Sequence, residues 1–279
     1  MNGITKLAFL VCAVVLSLSQ PMATAEAQDS QTASTLNPKV FQILDNMEER
    51  PVKSGPQPTV HKPDTAALGM VHCNIVYLDQ RTKKKGYDAI PDEPAFKAMV
   101  RKEYAVPGPL VLDMESLDLK GDAATKNIKI FINLVQWSHE AAPGSVVGYY
   151  GHGLFPNPPD KQHATQAKKL ADAVDAFFPS MYTFDDDRVK WKSKLETLIE
   201  GAHRIAPGKP VYPYIWPQYH EGTPKALQFV SGDYWTYQLR TLRASGVNGI
   251  VIWFPTRKDW PIHEPWWQTT VKFAGELKK

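Results

Sequence analysis

The chain has 279 residues, of which 43% are hydrophobic and 22% are charged. This ordinary globular composition excludes a disordered or fibrous chain, and the length suits one or two domains or a single α/β barrel of about 250 residues. Lys and Arg number 32 against 29 for Asp and Glu, and the small net charge of +3 argues against a nucleic-acid partner.

The N-terminal residues have the three-part pattern of an export signal. Lys6 precedes an apolar run over residues 7–18, and small residues follow it up to Ala27. A run of about a dozen apolar residues is too short to span a bilayer but suits the core of a signal peptide. We therefore expect residues 1–27 to be removed after Ala25 or Ala27. The mature protein is expected to be secreted or periplasmic, with no membrane attachment.

Residues 28–66 are rich in Ser, Thr, Gln and Pro, with one apolar patch at residues 40–44. This composition predicts a flexible leader followed by an irregular arm with at most one short strand. The regular pattern that follows predicts a single barrel domain over residues 67–279. Cys73 has no disulfide partner in the mature chain and is predicted to be a small buried hydrophobic side chain.

From Gly69 onward, apolar strand-like runs alternate with helix-like segments. The predicted strands are residues 70–78, 110–114, 146–150, 176–182, 210–216 and 249–254. The predicted helices are residues 93–104, 123–141, 162–174, 188–205, 232–244 and 265–277. Short apolar strands that alternate with helices indicate parallel βαβ units, and the glycine motifs of nucleotide-binding folds are missing. The pattern predicts an α/β fold, a (β/α) TIM-like barrel with seven or eight parallel strands.

Two carboxylates stand at the end of the predicted strand 110–114. Asp113 and Glu115 are two residues apart, so both side chains point to the same side, into the mouth of the barrel where such folds carry their active sites. Two carboxylates this close raise each other's proton affinity, so one of them can act as a general acid near neutral pH. A helix cap beside a loop acid accounts for the same spacing equally well.

Aromatic side chains close four of the six predicted strands. Phenol hydroxyls can hold a sugar substituent, and indole faces stack on pyranose rings. Any one of these rings could simply cover the core, but four such strand ends beside a carboxylate pair favour a carbohydrate site. The candidate substrate-binding residues are Tyr150, Tyr182, Tyr214, Trp216 and Trp253.

Five segments in order resemble the hyaluronidase family of glycoside hydrolases. The segment PGPLVLDMES at 107–116 is similar to the D-x-E strand of that family. It is followed by GYY at 148–150, PSMY at 179–182, YPYIW at 212–216 and GIVIW at 249–253. The resemblance implies a distorted (β/α) barrel and hydrolysis with retention, in which the N-acetyl oxygen of the substrate is the nucleophile.

The resemblance also implies a role for each site residue. Glu115 would be the general acid/base, and Asp113 would orient the acetamido group and stabilise the oxazolinium. Tyr182 and Tyr214 would help to hold that group, with Trp253 as the wall of its pocket. The expected substrate is a polysaccharide or oligosaccharide that contains N-acetylhexosamine.

Two other functions fit the same residues. A catalytically silent carbohydrate-binding barrel would keep the aromatic side chains without needing both acids. A retaining glycosidase for a sugar without an acetamido group would use Asp113 as the direct nucleophile. The presence of both Asp113 and Glu115 favours an enzyme over a binding protein.

No metal or cofactor is expected. The three consecutive acids at 185–187 precede a predicted helix, where aspartates are favoured as caps, so we interpret them as a cap instead of a calcium site. His152, His220 and His263 are scattered, without the paired spacing of a zinc site.

Overall fold

We describe the protein from a computed structural model, which covers residues 36–78, 86–117, 119, 121–151 and 161–279. The predicted export signal lies outside these residues. Among the helices of the described part, none combines the length and the apolar character that crossing a membrane requires.

The strands of the described residues pair in parallel, in two sheets with the orders β2-β1-β7-β6 and β3-β4-β5. They are β1 (Gln42–Glu49), β2 (Val71–His72), β3 (Asn74–Tyr77), β4 (Leu110–Asp113), β5 (Val147–Tyr149), β6 (Tyr214–Ile215) and β7 (Gly249–Thr256). Because parallel strands need crossover connections, the helices cover the outside of the sheets, as the alternating pattern predicts.

Isolated parallel bridges connect the two sheets. The predicted strand 176–182 does not form a continuous ladder, but it makes bridges to its neighbours on both sides. The bridged pairs are Tyr150 with Phe178, Phe177 with Val211, and Ser180 with Tyr214. This segment therefore lies between β5 and β6 and joins the three-stranded sheet to the four-stranded one.

The other junction lies at Cys73, between β2 and β3. The Cys73 amide donates to the Asp45 carbonyl of β1 at 2.9 Å, and the next amide, that of Asn74, donates to the Pro109 carbonyl before β4 at 2.9 Å. One extended run thus contacts β1 with its first half and β4 with its second half. The parallel pairings continue around a barrel through interrupted ladders, which confirms the predicted (β/α) fold and explains its distortion.

The helices begin and end within one residue of their predicted bounds. They are α1 (Glu93–Glu103), α2 (Ala124–Ala141), α3 (Lys161–Ala173), α4 (Arg188–Ile205), α5 (Gly232–Ala244) and α6 (Pro265–Leu277), with a 3₁₀ turn at Gly86–Ala89. Side-chain caps define the start of α4 and of α5: Asp187 accepts from the Lys190 amide at 2.9 Å and Ser231 from the Tyr234 amide at 3.2 Å. The capping role predicted for the acids at 185–187 is confirmed for Asp187.

The arm over residues 28–66, for which at most one short strand is predicted, contributes the eight-residue strand β1, and this corrects its placement outside the barrel domain. All eight residues of β1 pair with β7. Five of them are polar, so the sequence does not read as a regular strand, but Asp45 and Asn46 have partners distant in the chain. Asp45 accepts from Lys62 Nζ at 2.6 Å and from the Thr65 hydroxyl, and Asn46 Nδ2 donates to the Cys73 carbonyl at 2.9 Å. The barrel therefore begins before residue 67.

Candidate active site

The carboxyl ends of the strands surround a cleft of about 930 Å³. That volume lies within the range of about 300–1,000 Å³ typical of ligand sites. All of the site residues predicted from the sequence line this cleft. They are Asp113, Glu115, Tyr150, Tyr182, Tyr214, Trp216 and Trp253.

The two acids differ in their surroundings. Asp113 is the last residue of β4 and is only 6% exposed, whereas Glu115 lies beyond the end of the strand and is exposed. Gly151 approaches Glu115 closely: a Cβ on Gly151 would lie 3.9 Å from Glu115 Oε1. The φ angle of Gly151 is +66°, a conformation that favours glycine. The cleft thus contains one buried and one accessible carboxyl group on the same strand end.

Three tyrosines form a cluster of rings beside the acids. The Tyr150 ring lies 5.8 Å from that of Tyr182 and 5.0 Å from that of Tyr214. Burial raises the pKa of Tyr150 to about 12, and it raises the pKa of Tyr182 and of Tyr214 well above the ordinary value. At neutral pH all three phenols therefore keep their protons and can donate hydrogen bonds.

Two tryptophans form an indole surface next to this cluster. Trp253 stacks on Tyr182 with their ring centroids 5.9 Å apart, and Trp216 meets Trp253 edge to face at 4.9 Å. Trp253 Nε1 donates to the Tyr77 hydroxyl at 3.0 Å, which holds the indole plane. Trp216 Nε1 is buried and has no hydrogen-bond partner among the described residues. This surface is large and apolar enough to pack against the face or the methyl group of a sugar.

Sequence analysis missed three polar residues around the cleft. Tyr77 closes β3 and pairs in register with Asp113, so the same signal of an aromatic strand end could have found it. Asn46 accepts from the Tyr214 hydroxyl at 3.4 Å, and Glu48 lies 3.5 Å from the Tyr77 hydroxyl. Both belong to β1, for which the only local signal is the apolar patch at residues 40–44.

The described residues contain no group of three or more His, Cys, Asp or Glu side chains placed to hold a metal ion. The acids at 185–187 have other partners: Asp185 pairs with Lys190 at 2.7 Å, Asp186 with Lys225, and Asp187 caps α4. His152 lies outside the described residues.

No protein-family model and no curated protein sequence matches this chain. Among solved structures, bee venom hyaluronidase matches with a TM-score of 0.56 at 14% identity, over 85% of this chain and 97% of that chain. The spore cortex-lytic enzyme SleL of Bacillus megaterium matches with a TM-score of 0.51 at 8% identity, over 86% of this chain and 75% of that chain. At these identities the likeness is one of fold. The chain therefore has a (β/α) barrel fold of the kind found in glycosidases.

Proposed function

We propose that the protein is an exported glycoside hydrolase that cleaves a polysaccharide containing N-acetylhexosamine. One observation carries this proposal. A buried carboxyl group and an accessible one, Asp113 and Glu115, line the same cleft as three buried tyrosines and an indole surface. This combination suits an acid-catalysed cleavage of a bound sugar chain, and the fold shared with bee venom hyaluronidase supports the hyaluronidase-like version of it.

In the proposed mechanism the substrate supplies its own nucleophile. Glu115, which is accessible from the cleft, donates a proton to the glycosidic oxygen as the bond to the anomeric carbon breaks. The acetamido oxygen attacks that carbon, and the resulting oxazolinium is stabilised by the carboxylate of Asp113. Glu115 then removes a proton from water, which attacks the anomeric carbon and releases the product with retained configuration.

The aromatic residues hold the acetamido group in this proposal. The phenols of Tyr182 and Tyr214 keep their protons at neutral pH, since burial raises pKa values that already lie well above 7. In this proposal each donates to the acetamido group, and Tyr214 exchanges its long hydrogen bond to Asn46 for that contact. The indole of Trp253 is held by its hydrogen bond to Tyr77 and forms the wall against which the methyl group packs. Tyr150 and Trp216 complete the substrate-binding surface.

The test begins with the release of reducing ends from hyaluronan, chondroitin, chitin and peptidoglycan fragments. On the substrate that is cleaved, Glu115→Gln should lower kcat by about 10²–10⁴ and leave binding intact, because the shape of the side chain barely changes. Asp113→Asn should also lower kcat strongly, since an amide cannot stabilise the cationic intermediate. Glu196→Gln, an exposed change on α4 outside the cleft, is the matched control and should retain full activity.

Inhibitors separate this mechanism from its alternatives. A thiazoline analogue of the N-acetyl sugar should inhibit, because it mimics the oxazolinium. A fluorosugar without the acetamido group that forms a covalent ester on Asp113 would instead establish an ordinary retaining glycosidase. Full activity of the Glu115→Gln protein would contradict both mechanisms, and glycan binding without any cleavage would establish a carbohydrate-binding barrel.

Export forms part of this proposal because residues 1–27 have the pattern of a signal peptide. N-terminal sequencing of the mature protein should begin at Glu26 or Gln28. Recovery of the protein with Met1 in place would contradict export by cleavage.

A further inference from the structure

One wall of the cleft is a loop that folds back on itself, residues 217–230, which we call the 217–230 loop. The amide of Tyr219 donates to the Gln228 carbonyl at 3.0 Å, and that of Val230 donates to the Pro217 carbonyl at 2.9 Å. Gln218 and Phe229 form an antiparallel bridge between the two arms. These bonds make the loop a well-defined surface.

The two faces of the 217–230 loop have different environments. Gln218, His220 and Phe229 line the cleft, and Leu227 and Glu221 do so near the tip of the loop. Tyr219 points away from the cleft, and its hydroxyl donates to Asp186, which also pairs with Lys225. The one cation of this loop is therefore engaged on the side away from the cleft.

Leu227 adds backbone strain to this wall. Its φ angle is +62°, and among the non-glycine residues that the structure describes it alone adopts a positive φ. Such conformations are costly for a branched side chain and concentrate at ligand-binding sites. The Leu227 side chain, which is 48% exposed, lines the cleft.

His220 is held in one orientation and one tautomer. Its ring stacks on that of Phe184 with the ring centroids 4.7 Å apart, and its centroid lies 6.0 Å from that of the Tyr182 ring. Nδ1 lies 2.7 Å from the Glu221 carbonyl oxygen. Because a carbonyl can only accept, Nδ1 carries the hydrogen, and Nε2 of the neutral ring is left as an acceptor.

The polar groups of this wall suit hydroxyl groups and not anions. Gln218 Nε2 donates to the Leu227 carbonyl at 2.5 Å, which leaves Gln218 Oε1 as an acceptor. His220 Nε2 and the Glu221 carboxylate are acceptors as well. Among the lining residues, the cations Arg50, Arg257 and Lys258 follow the ends of β1 and β7 and lie outside the 217–230 loop.

We propose that the 217–230 loop is a second sugar subsite, for a neutral pyranose unit, in which His220 Nε2 accepts a hydrogen bond from a sugar hydroxyl. This inference rests on the proposed function, since it places the neighbouring unit of the same glycan there. Tyr182 contacts both Trp253 and His220, so the subsite lies one ring farther along the aromatic surface than the expected acetamido pocket. A cleft of about 930 Å³ has room for more than one unit.

The test compares substrate lengths. His220→Ala should lower kcat/KM about tenfold on a neutral hexasaccharide. On the shortest substrate that the enzyme cleaves, kcat/KM should stay the same, because only the longer substrate reaches the subsite. His220→Gln should restore most of the loss, since its amide oxygen can accept at the position of Nε2. His203→Ala, which removes an exposed imidazole from α4, is the matched control and should change neither substrate.

A second comparison tests the charge preference. Glu221→Lys should raise kcat/KM for oligosaccharides with a uronate at this position relative to neutral ones, by about tenfold. If His220→Ala lowers kcat/KM equally on short and long substrates, or on neither, the proposed subsite is refuted. An unchanged ratio between neutral and uronate-containing substrates in Glu221→Lys refutes it as well.

Binding distinguishes this failure from a failure of the proposed function. Titration calorimetry with the same neutral hexasaccharide should give a Kd about tenfold weaker for His220→Ala than for the unchanged protein. If glycans bind but are not cleaved, the proposed function fails, and the two Kd values still decide the subsite. If cleavage occurs and the His220→Ala protein binds as tightly as the unchanged one, the subsite alone is refuted.

Discussion

Asp113 and Glu115 follow the alternation of a single strand, but β4 ends between them. Asp113 is held within the barrel at 6% exposure, and Glu115 reaches past the strand end toward the open cleft. A carboxylate that must stabilise a positive charge benefits from burial, because electrostatic interactions are stronger away from water. An acid that exchanges its proton with the substrate and with water needs access. The two positions therefore suit the two proposed roles.

Tyr150 offers a test of how the buried phenols contribute to stability. Burial raises its folded-state pKa from 10.0 to about 12. Its contribution is therefore complete below pH 10, where the unfolded phenol is also protonated, and it is lost as the pH rises from 10 to 12. Between pH 10 and pH 12 the free energy of unfolding of the wild-type protein should therefore fall relative to that of Tyr150→Phe, by at most about 1.4 kcal/mol per pH unit. Urea unfolding at a series of pH values measures this difference.

The accompanying observation is spectroscopic. Alkaline titration of phenolate absorbance should show one phenol fewer among those that ionise near pH 12 in the Tyr150→Phe protein. Stability curves of the two proteins that stay parallel between pH 10 and pH 12 would show that Tyr150 ionises normally.

At the level of elements, β1 depends on a close approach to β7. Gly249 begins β7 opposite Gln42, and a Cβ on Gly249 would lie only 2.2 Å from the Gln42 carbonyl oxygen. Because that oxygen belongs to the backbone, a side chain at this position must push the two strands apart. The strand pair that completes the barrel therefore requires glycine here.

Two Gly→Ala substitutions should have opposite effects on stability. Gly249→Ala should lower the free energy of unfolding by about 1–3 kcal/mol, the usual cost of overpacking. Gly275→Ala in α6 has no atom within 4 Å of its new Cβ and should raise stability by up to about 1 kcal/mol, because alanine favours helix. Chemical denaturation of both proteins measures the two changes, and a neutral Gly249→Ala would contradict the close packing of β1 on β7.

At the level of the whole molecule, the two sheets meet at Cys73. This residue is 1% exposed and lies between β2 and β3, and its Sγ is 3.9 Å from the Tyr214 hydroxyl. Burial raises the pKa of the thiol to about 12, so the reactive thiolate is scarce at neutral pH. Its reactivity should therefore report on the opening of the barrel.

Alkylation of Cys73 tests this expectation. At pH 8 the native protein should leave the Cys73 peptide unlabelled by iodoacetamide, and labelling should become rapid only at urea concentrations that unfold the barrel. Mass spectrometry of the Cys73 peptide separates it from Cys12. Fast labelling without urea would show that the junction between β2 and β3 opens independently of the rest.

Elements and residues with local signals could be predicted from the sequence. The bounds of α4, α5 and α6 agree with the predicted ones because caps and helical periodicity act within a few residues. The residues of the cleft could be predicted because the carboxyl end of a parallel strand can be recognised in the sequence, as an apolar run that ends in polar or aromatic side chains.

Parts of the fold whose partners are far away in the chain could not be predicted and become visible only in the folded protein. The strand β1 is masked in the sequence by Asp45, Asn46 and Glu48, and the first two are buried only because Lys62 and Cys73 satisfy them. The orientation of His220 likewise depends on the rings of Tyr182 and Phe184, which lie more than 30 residues earlier in the chain. Buried polar groups need specific partners, and no periodic pattern reveals a partner supplied by another strand or loop.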